Sequence, residues 1–178
     1  MTAARRLATW LYAVAASAYL LDRVSKAMVV RTLQDRPPAR IIPGVLHLNF
    51  TTNSGGAFGV FGGQPWLFLA ASAMVALFIV VASTRLSGLR SAVALGLILG
   101  GALGNLTDRI LRGPGVSGRV VDFIDLQVWP VFNLADSAIV IGAIVMVLSG
   151  LSPDKTTGAT RARREGDEGD GQTGSAPG

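Results

Sequence analysis

Between Arg119 and Ser137 the chain places three carboxylates, Asp122, Asp125 and Asp136, in strongly apolar surroundings. A carboxylate beside a membrane-length apolar run is costly to bury, which makes each one a candidate functional group. Asp136 opens an apolar run to Leu151 broken only by Ser137, Gly142, Ser149 and Gly150. Asn133 and Asp136 have the i, i+3 spacing that puts both on one helix face, near an N-terminus whose dipole favours an ionised carboxylate. Asp122 belongs to another element, because Pro130 interrupts any helix between the two acids. If the strand-like stretch bearing Asp122 folds back over the helix bearing Asp136, two carboxyls meet in a partly apolar setting and share a proton. Such a pair can hydrolyse a peptide bond without a covalent intermediate. One acid activates water while the other protonates the carbonyl oxygen or the leaving amine. Asn53, Asn105, Asn133 and Arg109 are candidate donors for orientation and for developing oxyanion charge. Asp125 is a rival acid that spacing alone does not separate from Asp122.

Other chemistries lack their parts. The chain has no cysteine and one histidine, His47. Disulfides, thiol nucleophiles and thiolate metal sites are excluded, and a zinc centre or a Ser-His-Asp triad would be short of ligands or bases. No metal or cofactor is expected, and His47 reads as an ordinary loop residue. The net charge of +5 comes without the clustered basic-aromatic pattern of a nucleic-acid binder.

The elements that must position these residues are membrane-length. Half of the 178 residues are hydrophobic and only 15% are charged, against about 25% charged in a soluble domain. Four segments approach the ~20 residues of a bilayer-spanning helix: about 7–28, 65–83, 91–107 and 131–151. The fold class read from this is an all-α membrane protein with four transmembrane helices. Residues 1–151 form the membrane domain, and 152–178, polar and without apolar periodicity, read as a disordered cytoplasmic tail. Lys and Arg are biased to the side holding both termini, which places that side in the cytoplasm.

Residues 1–21 superficially resemble a secretory signal, but the run continues through Asp22 and Lys26 and is better read as one helix. Asp22 and Lys26, four apart, can pair on one face. Ile41 to Phe50 has the β-branched character of a strand. Gly55, Gly56 and Gly59 then mark a backbone with special dihedrals or a close approach. Gly96, Gly100 and Gly104 form GxxxG pairs that support close helix packing. Asn105, Asp108 and Arg109 share one face at the end of the third span, where a solvated helix end accounts for the last two but less well for Asn105. Pro130 suits the first turn of the fourth helix. Helix rise puts Asp22, Asp108 and Asp136 all about 22–26 Å from the cytoplasmic edge of a ~30 Å core. Three helices thus carry a carboxylate to one level, just inside the outer surface.

Five motifs together resemble a known family, the lipoprotein signal peptidases or signal peptidase II, aspartyl proteases of the bacterial inner membrane. They are Asp22-Arg-x-x-Lys26, Asn53-x-Gly-Gly-Ala-Phe58-Gly, Gly100-Gly-Ala-x-Gly-Asn105-x-x-Asp108-Arg109, Val120-Val-Asp122-Phe, and Phe132-Asn133-x-Ala-Asp136-Ser137. The likeness covers about residues 7–150. It implies that Asp122 and Asp136 are the catalytic pair, and that Asp22, Lys26, Asn53, Gly55, Asn105, Asp108, Arg109 and Asn133 line or brace the site. It also implies a small outer-face sheet between the first two helices, with a strand-like loop before the fourth. The substrates implied are prolipoproteins cut before a diacylglyceryl-modified cysteine, and the inhibitors globomycin-like peptides. The enzyme would be a monomer among membrane lipids with its active site near the outer leaflet. Two departures touch loop geometry: Arg112 to Gly118 looks longer than the family's usual link, and Gly56 stands where alanine is common.

A small proton-coupled transporter or channel component, with Asp22, Asp108 and Asp136 as relay groups, fits the helices too. So does a structural subunit using its GxxxG face. A relay should extend through the bilayer, however, and no ionisable group lies in the inner two-thirds of any span.

Overall fold

The structure is a computed structural model that describes residues 2–55, 64–113 and 118–150. Gly56 to Gly59 of the glycine-rich motif, residues 114–117 of the loop before Val120, and the 152–178 tail lie outside the described residues.

Four helices carry the chain: α1 (Ala3–Leu33), α2 (Pro65–Ala82), α3 (Leu89–Leu111) and α4 (Leu134–Gly150). Three strands accompany them: β1 (Ala39–Ile42), β2 (Leu46–Asn53) and β3 (Val120–Asp125). The fold is therefore mostly helical with one small antiparallel sheet, in the order β1-β2-β3. Two helical stretches, Trp66–Arg85 and Leu89–Leu111, are long and apolar enough to cross a membrane, and Leu134–Ser149 is a shorter apolar helix. Helix α2 leaves Met74, Leu77, Phe78 and Val81 exposed, and α4 leaves Val140, Ile141, Ile144, Val147 and Leu148 exposed. Large apolar side chains outward on two helices suit an apolar solvent better than water.

Several boundaries differ from the sequence reading. Helix α1 starts at Ala3, capped by the Thr2 side chain, and runs past Met28 to Leu33, because Val29 and Val30 extend its apolar face and beyond them a helix needs only backbone continuity. It ends just before Gln34, ahead of Pro37 and Pro38, which cannot continue it. Helix α3 continues through Asp108 and Arg109 to Leu111. Pro130 is not in the first turn of α4. The helix begins at Leu134 because Phe132 is still engaged as a strand partner, exchanging bonds with Ile124 at 2.8 and 3.1 Å and receiving the Phe123 N–H at 2.9 Å. His47 is a strand residue rather than a loop residue, paired with Arg40 on one side and Asp125 on the other. The strand-like segment before α4 does not stand apart: β3 completes the sheet by pairing with β2, with Asp122 opposite Thr51.

Helix α3 is central and packs against α1, α2 and α4. A Cβ at Gly96 would lie 2.6 Å from the Leu11 carbonyl, and one at Gly100 would lie 2.5 Å from that of Ala15, so bare backbone is what lets α1 lie so close. On the same stripe, a Cβ at Gly104 would lie 2.5 Å from Oδ2 of Asp22. That glycine makes room for a carboxylate, a role beyond the close packing read from the GxxxG pattern. Gly104→Ala is expected to displace Asp22 at a cost of ~1–3 kcal/mol. The purified protein should melt several degrees lower, and wild-type melting of this variant in detergent would show that Asp22 is free to move.

Two apolar clusters hold the assembly. Leu11, Ala15, Ala76, Ile79, Ala92 and Leu99 join α1, α2 and α3. Val29, Val121 and Phe123, flanked by Leu33, Leu48, Phe50 and Leu134, seat the sheet on the far end of α1 and the start of α4. The sheet is thereby held over the level of Asp22, Asp108 and Asp136.

Candidate active site

The site is built on a fully buried ammonium. Lys26 has no exposed surface, and its Nζ lies 2.9 Å from Oδ2 of Asp22, 3.1 Å from Oδ2 of Asp108 and 3.0 Å from Oδ1 of Asn105. Two carboxylates and an amide oxygen surround it, the paired setting that a buried charge requires. Asp108 also accepts from Arg112 Nε at 2.8 Å, pairs with Arg23, and receives the Val121 N–H at 3.3 Å. It therefore ties the end of α3 to β3. Asp108 and Arg109 are both buried rather than forming a solvated helix end. Asp22 reaches from α1 to α4, accepting the Ala135 N–H at 3.1 Å through Oδ1. A carboxylate on one of the orphan donors of a helix's first turn holds that turn in place.

The N-terminus of α4 is closed by a reciprocal pair. Asn133 Oδ1 accepts the Asp136 N–H at 3.0 Å, and Asp136 Oδ2 accepts the Asn133 N–H at 3.3 Å. This is a capping box with Asn at the cap and Asp three residues on. Asn133 Nδ2 then donates to Asp122 Oδ1 at 2.6 Å, to Asn105 Oδ1 at 3.2 Å and to the Val121 carbonyl at 3.3 Å. Asn105 Nδ2 donates to Asp136 Oδ1 at 2.8 Å. Two carboxylates from different elements, Asp122 on β3 and Asp136 on α4, are thus joined through two amides to the Lys26 cluster. Asp122 is 2% exposed. Burial, and then the nearby Asp136 carboxylate, push it up to about 6, against donors from Asn133 and Asn53 and the Lys26 charge.

Arg109 lies over the Phe68 ring at 5.2 Å from its centroid and donates to the Ser54 carbonyl at 3.4 Å. Its charge acts on both Asp122 and Asp136, and among the described residues its buried Nε has no partner. The same phenylalanine explains Gly55, which has φ +127° and where a Cβ would fall 2.5 Å from the ring. Asn53 Oδ1 accepts the Gly55 N–H at 2.8 Å, which fixes the turn and leaves its amide nitrogen for Asp122. An apolar groove of about 430 Å³ opens beside Asp136, lined also by Leu126, Trp129, Phe132, Val140 and Ile141.

Asp22, Lys26, Asn105, Asp108, Asp122, Asn133 and Asp136 form one bonded network, with Arg109, Asn53 and Gly55 along its edge. Asp125 is not part of it: its Oδ1 accepts the Gln127 N–H at 2.9 Å and holds the turn after β3. Asp125→Asn, which keeps an acceptor there, is expected to retain most cleavage activity, and complete loss in a folded protein would bring Asp125 back as the acid. Sequence reasoning did not assign Arg23, Arg112 or Phe68 to the site. The i, i+4 spacing of Asp108 and Arg112 is an available signal for one of them, and Arg23 stands inside the Asp22-Arg-x-x-Lys26 motif, but nothing local signals Phe68.

Comparison with known proteins identifies the family. The family profile for Signal peptidase (SPase) II matches residues 14–152. The lipoprotein signal peptidase of Streptomyces coelicolor is 48% identical over 159 residues, covering 87% of this chain and 78% of the relative. That of Rhodococcus jostii is 42% identical over 154 residues, covering 82% and 76%. A solved structure described as a bacterial membrane enzyme superposes with a TM-score of 0.71 at 30% identity, over 79% of this chain and 87% of the other. The family profile, the relatives and the shared fold place the chain among membrane enzymes of the aspartic protease class. The chain belongs to the signal peptidase II family, the lipoprotein signal peptidases, hydrolases that remove signal peptides from prolipoproteins.

Proposed function

We propose that Asp122 and Asp136 are the catalytic pair, and that they cut a prolipoprotein just before its diacylglyceryl-modified cysteine. The observation that carries this reading is the pair of carboxylates bridged by Asn133, one capping α4 and one on β3. A water between them would lose its proton to one acid while the other protonates the scissile carbonyl. Arg109, whose charge acts on both, steadies the carboxylates and the developing oxyanion. The groove beside Asp136 suits apolar substrate, either signal-peptide side chains or lipid.

All four helices span the bacterial inner membrane in this reading, α1 and α4 included, with cytoplasmic residues before α1 and after α4. The polar network then lies near the outer leaflet, where a lipid-anchored cysteine would be held. The domain acts as a monomer among membrane lipids, and globomycin-like peptides compete for the same groove. The test is cleavage by the purified protein in detergent. A diacylglyceryl-modified prolipoprotein should be cut with globomycin-sensitive kinetics, and the same precursor without its lipid should be cut poorly. Equal cleavage of both precursors would remove the lipid-dependent reading.

A further inference from the structure

Donor-only groups decide how the site's two amides must point, and through them how its carboxylates are charged. An ammonium cannot accept a hydrogen bond, so the Asn105 atom 3.0 Å from Lys26 Nζ is its oxygen. The atom 2.8 Å from Asp136 Oδ1 is therefore the Asn105 amide nitrogen, a donor. A backbone N–H cannot accept either, so the Asn133 atom facing the Asp136 N–H at 3.0 Å is its oxygen. Its nitrogen then points to Asp122 Oδ1 at 2.6 Å. Asp136 receives a donor on each carboxylate oxygen: Asn105 on Oδ1, and the Asn133 N–H, which cannot turn away, on Oδ2. It also sits in the first turn of α4, where the helix dipole stabilises negative charge. Among the described residues, Asp122 has a short bond on Oδ1, with Asn53 as a further side-chain donor, and it stands on a strand rather than in the first turn of a helix.

We propose that Asp122 carries the resting proton and Asp136 the resting negative charge, so that Asp136 takes the proton of the attacking water and Asp122 protonates the scissile carbonyl oxygen. The proposal rests on the pairing argued above. The step balances: water oxygen bonds to the carbonyl carbon, its proton passes to Asp136, and the Asp122 proton passes to the carbonyl oxygen, giving a gem-diol. Collapse sends the Asp136 proton to the leaving nitrogen, breaks the C–N bond and returns a hydroxyl proton to Asp122. Among the described residues, the other charges acting on the pair are Lys26 from α1 and Arg109 from α3. Asn105, touching Asp136 on one side and Lys26 on the other, is a positioning residue that keeps Asp136 ionised.

The experiment is the pH profile of kcat/KM for the full-length protein in detergent, cleaving a lipid-modified prolipoprotein. Its acidic limb reports the group that must be ionised, and its alkaline limb, expected near 6, the group that must be protonated. Asn105→Val should move the acidic limb up by about one pH unit, a tenfold loss of rate on that limb, with the alkaline limb in place. Movement of the alkaline limb alone, or a uniform loss of rate with neither limb moved, overturns the assignment. Should that variant not fold, side-chain 13C NMR of the aspartate-labelled wild-type protein decides at about pH 5. The Asp122 carboxyl should resonate as protonated and that of Asp136 as ionised, and the reverse, or both ionised, overturns it. Failure of the pairing itself looks different, because either Asp→Asn variant would then still cleave.

Discussion

Asp122→Asn and Asp136→Asn are each expected to lower cleavage of a lipid-modified prolipoprotein by at least ~10⁴-fold while leaving the protein folded and membrane-inserted. In the proposed mechanism each acid moves a proton that the other cannot, so the double variant should be little worse than either single one, as for residues that act as a unit. Asparagine keeps the shape and an acceptor oxygen. At Asp122 that oxygen can still take the Asn133 amide bonded at 2.6 Å to the native carboxylate. The sign of the stability change separates a catalytic role from a structural one. Asp122 is raised from its ordinary 3.8 to about 6. Protonation therefore favours the folded state, and that contribution is lost as pH rises from the unfolded value through about 6. By neutral pH the buried charge costs up to roughly 3 kcal/mol. Asp122→Asn removes that cost and should melt at or above the wild-type temperature there, while cleaving nothing. Retained cleavage by either purified variant would falsify the pairing.

Lys26→Met is expected to have the largest effect on stability. It leaves Asp22 and Asp108 without the ammonium that lies 2.9 and 3.1 Å from them. Breaking a buried pair on one side costs ~3–5 kcal/mol, because the remaining buried charge loses its counter-ion. In a chain of this size that is about 10 °C of melting temperature. Asp108 keeps Arg23, Arg112 and the Val121 N–H, so the uncompensated charge is mainly that of Asp22. Adding Asp22→Asn to Lys26→Met should accordingly recover part of the loss, even though it removes a second native side chain. Thermal unfolding of the three proteins in detergent checks this. A Lys26→Met protein as stable as wild type would mean that water reaches the cluster.

The apolar runs of α2 and α4 and the pairing of Asp22 with Lys26 were legible in the sequence, because hydropathy and the i, i+4 rule are local. So was the family, through five short motifs. Boundaries were less so. The first span reads as ending near Met28, but apolar residues continue through Val30 and α1 runs on to Leu33. Pro130 looks like a helix start, yet Phe132 is held by Ile124 and delays α4 to Leu134. Asp108 and Arg109 looked like a solvated end because their partners, Lys26, Arg23 and Phe68, lie on other helices, and no spacing within α3 reveals them. The space that Gly104 leaves for Asp22 is likewise a distance between helices.

The bond from Asp22 to the Ala135 amide joins residues 113 apart in sequence. It links α1 with α4, the first and last helices among the described residues. A nascent chain that has made only α1 to α3 holds Asp22, Lys26 and Asp108 but lacks Asn133 and Asp136, so its acid pair is incomplete. In the proposed reading the acid pair is therefore assembled only once α4 has docked on α1, so the meeting of these two helices is a precondition for cleavage.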